Sequence, residues 1–308
     1  MARHNRTTSA FALALAAALV LGSCESFGEL GGLGASIAAS TGAISGDQAS
    51  AITAAAEATG KAFETLTLEQ QYYLGRSVAA NLIADYRPWD DPAANAYVNA
   101  VGQALAVASN APYTFKGYRF LILDSDEINA FAAPGGFIMV TKGMLRCTET
   151  EDELAAVLAH EIGHVELEHG VKAIKASRWT DAVTKTALAG AAMSDADVAE
   201  VTATFGDSIG DITQTLVVNG YSRKQERDAD EAAVAILSAV GYDPGALIRM
   251  LEEMDRRLKP GGTDFAKTHP SPQARIDSIR ALVEARPVPT DDGQAARQAR
   301  YDRALARI

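Results

Sequence analysis

Only two cysteines occur in the 308 residues, Cys24 and Cys147, so a disulfide framework is excluded and stability has to come from a packed core. Positive charge is scarce as well. Against 39 Asp and Glu stand 28 Lys and Arg, a net charge of −11, and no basic patch interrupts that balance. Such a chain does not bind nucleic acid or acidic lipid through a broad basic field. Long apolar runs are missing: the run Ala10–Leu21 has twelve residues, where about 20 are needed to cross a bilayer. The Ala-rich pieces between 172 and 220 are short and carry Lys185. No internal repeat is visible, and the length suits one large domain or two small ones.

What is present begins with a leader. Arg3, His4 and Arg6 precede the apolar run, the layout of a secretory signal peptide. The run closes on Leu21-Gly22-Ser23-Cys24, which resembles the lipobox of bacterial lipoproteins, whose cysteine is lipid-modified and becomes the new N-terminus. Residues 1–23 are therefore expected to be a signal peptide and Cys24 a lipidation site, leaving Cys147 as the only thiol. Glu25, in place of the aspartate associated with inner-membrane retention, implies an anchor on the periplasmic face of the outer membrane. An ordinary cleaved signal would instead leave a soluble periplasmic protein. Residues 24–60, with "GELGGLGASIAASTGAISG" at their centre, lack the large side chains needed to offset chain entropy and read as a flexible tether. A weak helix is expected over Ala49–Glu64.

Two helices open the folded part, one capped by Thr67 and one starting at Asp91-Pro92. "YRFLILD" (118–124) is short and rich in large apolar residues, which predicts a buried strand, and "GFIMVTKGML" after Pro134-Gly135-Gly136 predicts a second. The next helix has Thr150 and Glu153 in capping-box spacing and Gly170 as its expected stop. Residues 172–220 are the least readable stretch. Ser222 and Gln225 then cap a helix over about 223–240 that ends at Gly241, Asp243-Pro244 starts another, and Ser271–Glu284 and Gln294–Arg307 complete the helical pattern. The fold class expected is α+β, mainly helical, with a small β-sheet beside the motif helix, the folded domain covering 61–286 and a helical tail 287–308.

The chemistry centres on "LAAVLAHEIGHVELEHG" (154–170). On a helix, His160 and His164 project from one face and can meet one ion, the H-E-x-x-H arrangement of zinc proteases. Glu161 lies beside that ion, placed to take a proton from a water on it. Five letters alone also fit a solvated helix with two surface histidines, but the apolar flanks put this helix against a core. A catalytic zinc needs a third protein ligand and an open position. The best candidate is Glu226 in the first turn of the helix 223–240, with Asp230 one turn on, placed to accept a hydrogen bond from the outer nitrogen of a zinc-binding histidine. His169, five residues past His164, is expected to point away from both motif histidines and is not counted as a ligand.

Together, "NAFAAPGG" (129–136), "ELAAVLAHEIGHVELEHG" (153–170), "YSRKQERDAD" (221–230) and "THPSP" (268–272) resemble the zinc metallopeptidase family that contains HtpX and the CAAX prenyl endopeptidases, peptidase family M48, in its BepA/LoiP-like periplasmic lipoprotein branch. The resemblance spans roughly residues 66–285. It implies a gluzincin domain holding one zinc ion per chain on His160, His164 and Glu226, with Glu161 as general base and Asp230 behind the ligands. It places His269 near the metal, where it would donate to the oxyanion, or fill the open zinc position, or merely pack and cap. "NAFAAPGG" leads into the strand "FIMV", to whose edge an extended substrate would add by backbone pairing, with Asn129 and Ala132 as substrate-binding candidates. The activity implied is zinc-dependent cleavage of protein or peptide substrates in the bacterial envelope, in protein quality control. A non-proteolytic chaperone or assembly factor that keeps the zinc for structure is the alternative, and a passive scaffold with a chance motif the third. No nucleic-acid partner is implied, and the membrane is reached through the lipid anchor alone.

Overall fold

The structure is a computed structural model, and it describes residues 66–173, 209–258, 269–287 and 293–308. Apart from Leu66, these belong to one unit that comprises 67–174 and 193–308. The expected signal peptide, Cys24, the expected tether, the helix expected over Ala49–Glu64 and most of the 172–220 stretch lie outside the described residues. No helix among the described residues is long and apolar enough to cross a membrane.

Helix α1 (Leu68–Asp85) starts on a complete capping box, Thr67 accepting from Gln70 N and the Gln70 side chain accepting from Thr67 N. Helix α2 (Pro92–Val107) has Asp91 accepting from Ala94 N and proline at its first position, where no hydrogen bond is lost. Strands β1 (Arg119–Leu123), β2 (Ala130–Ala133) and β3 (Phe137–Thr141) form a sheet in the order β1-β3-β2, with β1 parallel and β2 antiparallel to β3.

This corrects the expectation for the substrate edge. "FIMV" is the central strand, bonded on both sides, so no peptide can add to it. Across β1, Asn95 and Asn99 of α2 accept from Ile122 N and Phe120 N at 2.9 and 3.0 Å, closing that edge with side chains. Among the described residues no strand pairs with the outer edge of β2, which faces a π-turn, Thr215–Asn219. The turn back from β2 into β3 needs glycines, because Gly135 and Gly136 sit at φ 71° and 89°.

After the short α3 (Lys142–Leu145) comes α4 (Glu151–Glu166), buried on every side from Glu151 to His164. An all-round apolar surface of Leu154, Ala155, Val157, Leu158 and Ile162 makes it the axis of the core rather than an amphipathic surface helix. Its cap is half the expected box: Thr150 accepts from Glu153 N, but the Glu153 carboxylate turns to Glu149 N and Arg249. Three acidic residues in its first turn each meet an arginine from elsewhere, Glu151 with Arg300, Asp152 with Arg297 and Glu153 with Arg249. The helix also stops earlier than Gly170. Glu168 takes a left-handed conformation (φ 55°), and His169–Lys172 form a separate turn, α5.

Helix α6 (Arg223–Val240) follows the sequence closely, with the Ser222/Gln225 capping box and Gly241 at φ 87°. It runs along α4, and Gly163 allows the approach: a Cβ there would stand 2.9 Å from Ala229 O. Helices α7 (Gly245–Arg257) and α8 (Pro272–Glu284, capped by Ser271) pack against each other, α7 also against α4 and α8 against α6. Helix α9 (Gln294–Ala304) lies against α4, where Tyr301 is buried and its hydroxyl donates to Thr148 O.

Candidate active site and metal centre

Four side chains converge where α4 and α6 touch. His160 and His164, one turn apart on α4, bring their Nε2 atoms to 3.1 Å. Glu226, in the first turn of α6, places Oε1 3.4 Å from His164 Nε2 and Oε2 3.6 Å from His160 Nε2. His269, which precedes α8, holds its Nδ1 2.7 Å from Glu226 Oε2. All four are buried, which disposes of the solvated-helix alternative, and one ligand atom from each lies within 4.8 Å of the others.

Zinc bound tetrahedrally at about 2.0–2.1 Å sets its ligand atoms about 3.3 Å apart. The separations of 3.1, 3.4 and 3.6 Å among His160, His164 and Glu226 bracket that value without rearrangement. Glu226 Oε1, moreover, is buried with no hydrogen-bond partner, a position that a cation would satisfy and a purely structural carboxylate would not occupy. Burial pushes the His160 imidazole down to about 3, so it is neutral at physiological pH, the form that ligates a metal. Glu226 stays ionised: burial alone would raise its pKa, but His269 and His164 hold it well below the carboxylate range.

The outer nitrogens are held as well. Asp230 accepts from His160 Nδ1 at 2.9 Å, and Arg275 of α8 grips the same carboxylate at 2.6 and 3.0 Å. Burial opposes ionisation of Asp230, yet Arg275 and His160 hold its pKa down to about 2. His164 Nδ1 lies 2.9 Å from His169 Nδ1, and the Tyr221 ring stacks on His164 at 4.2 Å between centroids. His169 stands outside the cluster of four, but it does not turn away from the motif as a continuous helix would have it: the break at Glu168 swings it back against His164. Arg275 and Tyr221 were not singled out from the sequence. The only signals were their places six residues after His269 and five before Glu226, neither of which says where a side chain points.

Glu161 is buried beside the cluster, and burial raises its carboxyl to about 7. It lines a cavity shared with Ala130, Ala132, Thr215, Leu216, Gly220, Tyr221 and His269 that has room for about one water molecule. Ala132 thus sits at the site, on the edge strand β2. Asn129 is one residue before β2, where its Oδ1 accepts from Ala130 N and its backbone N–H donates to Thr141 Oγ1, joining β2 to β3.

Residues 92–283, more than half of the chain, match the profile of Peptidase family M48. The chain is 32% identical over 236 residues to a putative beta-barrel assembly-enhancing protease of Vibrio cholerae, covering 72% of this chain and 46% of that protein. With the beta-barrel assembly-enhancing protease of Escherichia coli K12 it shares 28% over 224 residues, 70% of this chain and 44% of the other. With the metalloprotease LoiP of the same organism it shares 27% over 187 residues, 61% and 68% respectively. The chain thus spans less than half the length of the two assembly-enhancing proteases.

Proposed function

The chain belongs to peptidase family M48, and from that premise we propose that it is a zinc-dependent endopeptidase of the bacterial cell envelope acting on protein substrates in quality control. The observation that carries this is the trio His160, His164 and Glu226, spaced for one tetrahedral ion, with Glu161 buried beside it. In this reading the three residues hold one zinc per chain, and the ion, when bound, polarises the scissile carbonyl and makes water acidic enough to attack near neutral pH. Glu161 accepts the proton of the attacking water and passes it to the leaving amine; its carboxyl near 7 suits a group that must both take and give a proton. Asp230, fixed by Arg275, keeps the His160 ring in the tautomer that presents Nε2 to the ion. His269, bonded to Glu226, belongs to the same centre. The edge of β2 at Ala132, with Asn129 bracing its start, receives the substrate backbone.

The same proposal takes residues 61–286 as the peptidase domain, 287–308 as its helical tail, 1–23 as a signal peptide and 24–60 as a tether acylated at Cys24. The protein then works at the periplasmic face of the outer membrane, held by lipid alone, or free in the periplasm if Cys24 is not acylated. A chaperone that keeps the metal for structure has no use for Glu161, a buried carboxylate beside the donor set that is not part of it, which is why the hydrolytic reading is preferred. The test is casein cleavage by the metal-loaded protein with and without phenanthroline, beside the Glu161→Gln variant. Cleavage should be abolished by the chelator and reduced about 100-fold or more in the variant, with metal content unchanged. Chelator-insensitive cleavage, none at all, or full activity in Glu161→Gln would refute the proposal.

A further inference from the structure

Tyr221 carries a buried hydroxyl with no hydrogen-bond partner. Leaving such a group unpaired costs about 1–3 kcal/mol. Packing does not require it, since phenylalanine would stack on His164 as well as the tyrosine ring does, 4.2 Å between centroids at 19°. An orphaned polar atom in a folded protein therefore needs another explanation. The histidines around it are engaged elsewhere: His160 with Asp230, His164 with His169, His269 with Glu226. Tyr221 keeps its donor in reserve, and it lines the same cavity as Glu161, Ala130 and Ala132.

We propose that Tyr221 is a catalytic residue whose hydroxyl donates a hydrogen bond to the scissile carbonyl oxygen of a bound peptide as that oxygen gains negative charge. This rests on the peptidase reading above. A peptide strand laid along the outer edge of β2, in place of the Thr215–Asn219 turn, carries its carbonyl groups past Ala130 and Ala132 to the wall that Glu161 and Tyr221 share. Glu161 there serves the attacking water, while Tyr221 serves the oxygen of the bond under attack. A neutral phenol has one O–H to give and needs no change of protonation to give it. A donor of this kind aimed at developing charge is worth about 100-fold in turnover.

The Tyr221→Phe variant of the full-length, metal-loaded protein tests this. Its kcat on fluorescein-labelled casein should fall about 100-fold, with KM and metal content unchanged and the thermal midpoint equal to or above that of the wild type. The last expectation follows because the substitution removes an unpaired polar atom and keeps the stack. Wild-type turnover in Tyr221→Phe overturns the proposal. So does a lowered midpoint, because the hydroxyl would then be bonded within the folded protein. Wild type and Glu161→Gln assayed alongside separate the two failures. Absence of chelator-sensitive cleavage by the wild type removes the peptidase reading and this role with it, whereas an active wild type, an inactive Glu161→Gln and a fully active Tyr221→Phe remove this role alone.

Discussion

Gly163→Ala should weaken metal binding although Gly163 is not a ligand. The new methyl would stand 2.9 Å from Ala229 O, 3.2 Å from Ala229 Cα and 3.2 Å from Ala232 Cβ, whereas ordinary contact begins at 3.4 Å. Two of these three atoms are backbone, so no side chain can swing clear, and α6 has to retreat by about 0.5 Å. Ala229 is three residues from Glu226 on the same helix, so the carboxylate moves with it. Metal sites tolerate ligand displacements of about 0.2 Å, less than half of that retreat. Zinc affinity should accordingly drop about tenfold to a hundredfold, the usual range when the framework behind a ligand is disturbed. Stability is the poorer readout, because overpacking costs about 1–3 kcal/mol while replacing a mid-helix glycine by alanine returns about 1 kcal/mol. The assay is competition for zinc against a fluorescent indicator. Gly210→Ala serves as control, since its Cβ would meet nothing within 4 Å. Zinc affinity in Gly163→Ala within twofold of the wild type would refute the reasoning and detach the helix–helix approach from the metal.

The remaining predictions concern proton and thiol chemistry. Asp230 has a folded pKa of about 2, below its ordinary value of 3.8, so its ionised form stabilises the fold above pH 3.8 and that contribution disappears as the pH falls through 2. Metal-free Asp230→Asn should therefore unfold at lower denaturant than the wild type near pH 6, with the gap narrowing on acidification toward pH 2; a gap independent of pH would contradict the ion pair with Arg275. Burial raises the Cys147 thiol to about 11, so iodoacetamide at pH 8 should label it only as fast as the protein opens, and rapid labelling of native protein would show that the site is not buried as described.

Local chemistry was legible where a residue acts on its own neighbours in the chain. Thr67, Asp91, Ser222 with Gln225, Gly241 and Ser271 mark helix ends in the structure as their letters imply, because a cap bonds to backbone two or three residues away. The pair His160 and His164 is of the same kind. Strand β2 escaped notice because Ala130, Ala132 and Ala133 carry little strand preference and no alternation; the turn glycines and the bonds between Asn129 and Thr141 hold it in place. The break at Glu168 was hidden too, since a left-handed glutamate has no compositional signature, and the same break redirects His169. Arg275 and Tyr221 reach the centre through the packing of α8 and of the segment before α6, distances in sequence that spacing alone cannot bridge.

The arginines that meet the first turn of α4 give the molecule a remote handle on its own chemistry. Two of the three, Arg297 and Arg300, come from α9. At about 1.5 Å per residue, the histidines stand some 14 to 20 Å down the shaft from that grip. A change that loosens α9 therefore acts on the far end of a rigid rod whose other end carries the histidine pair.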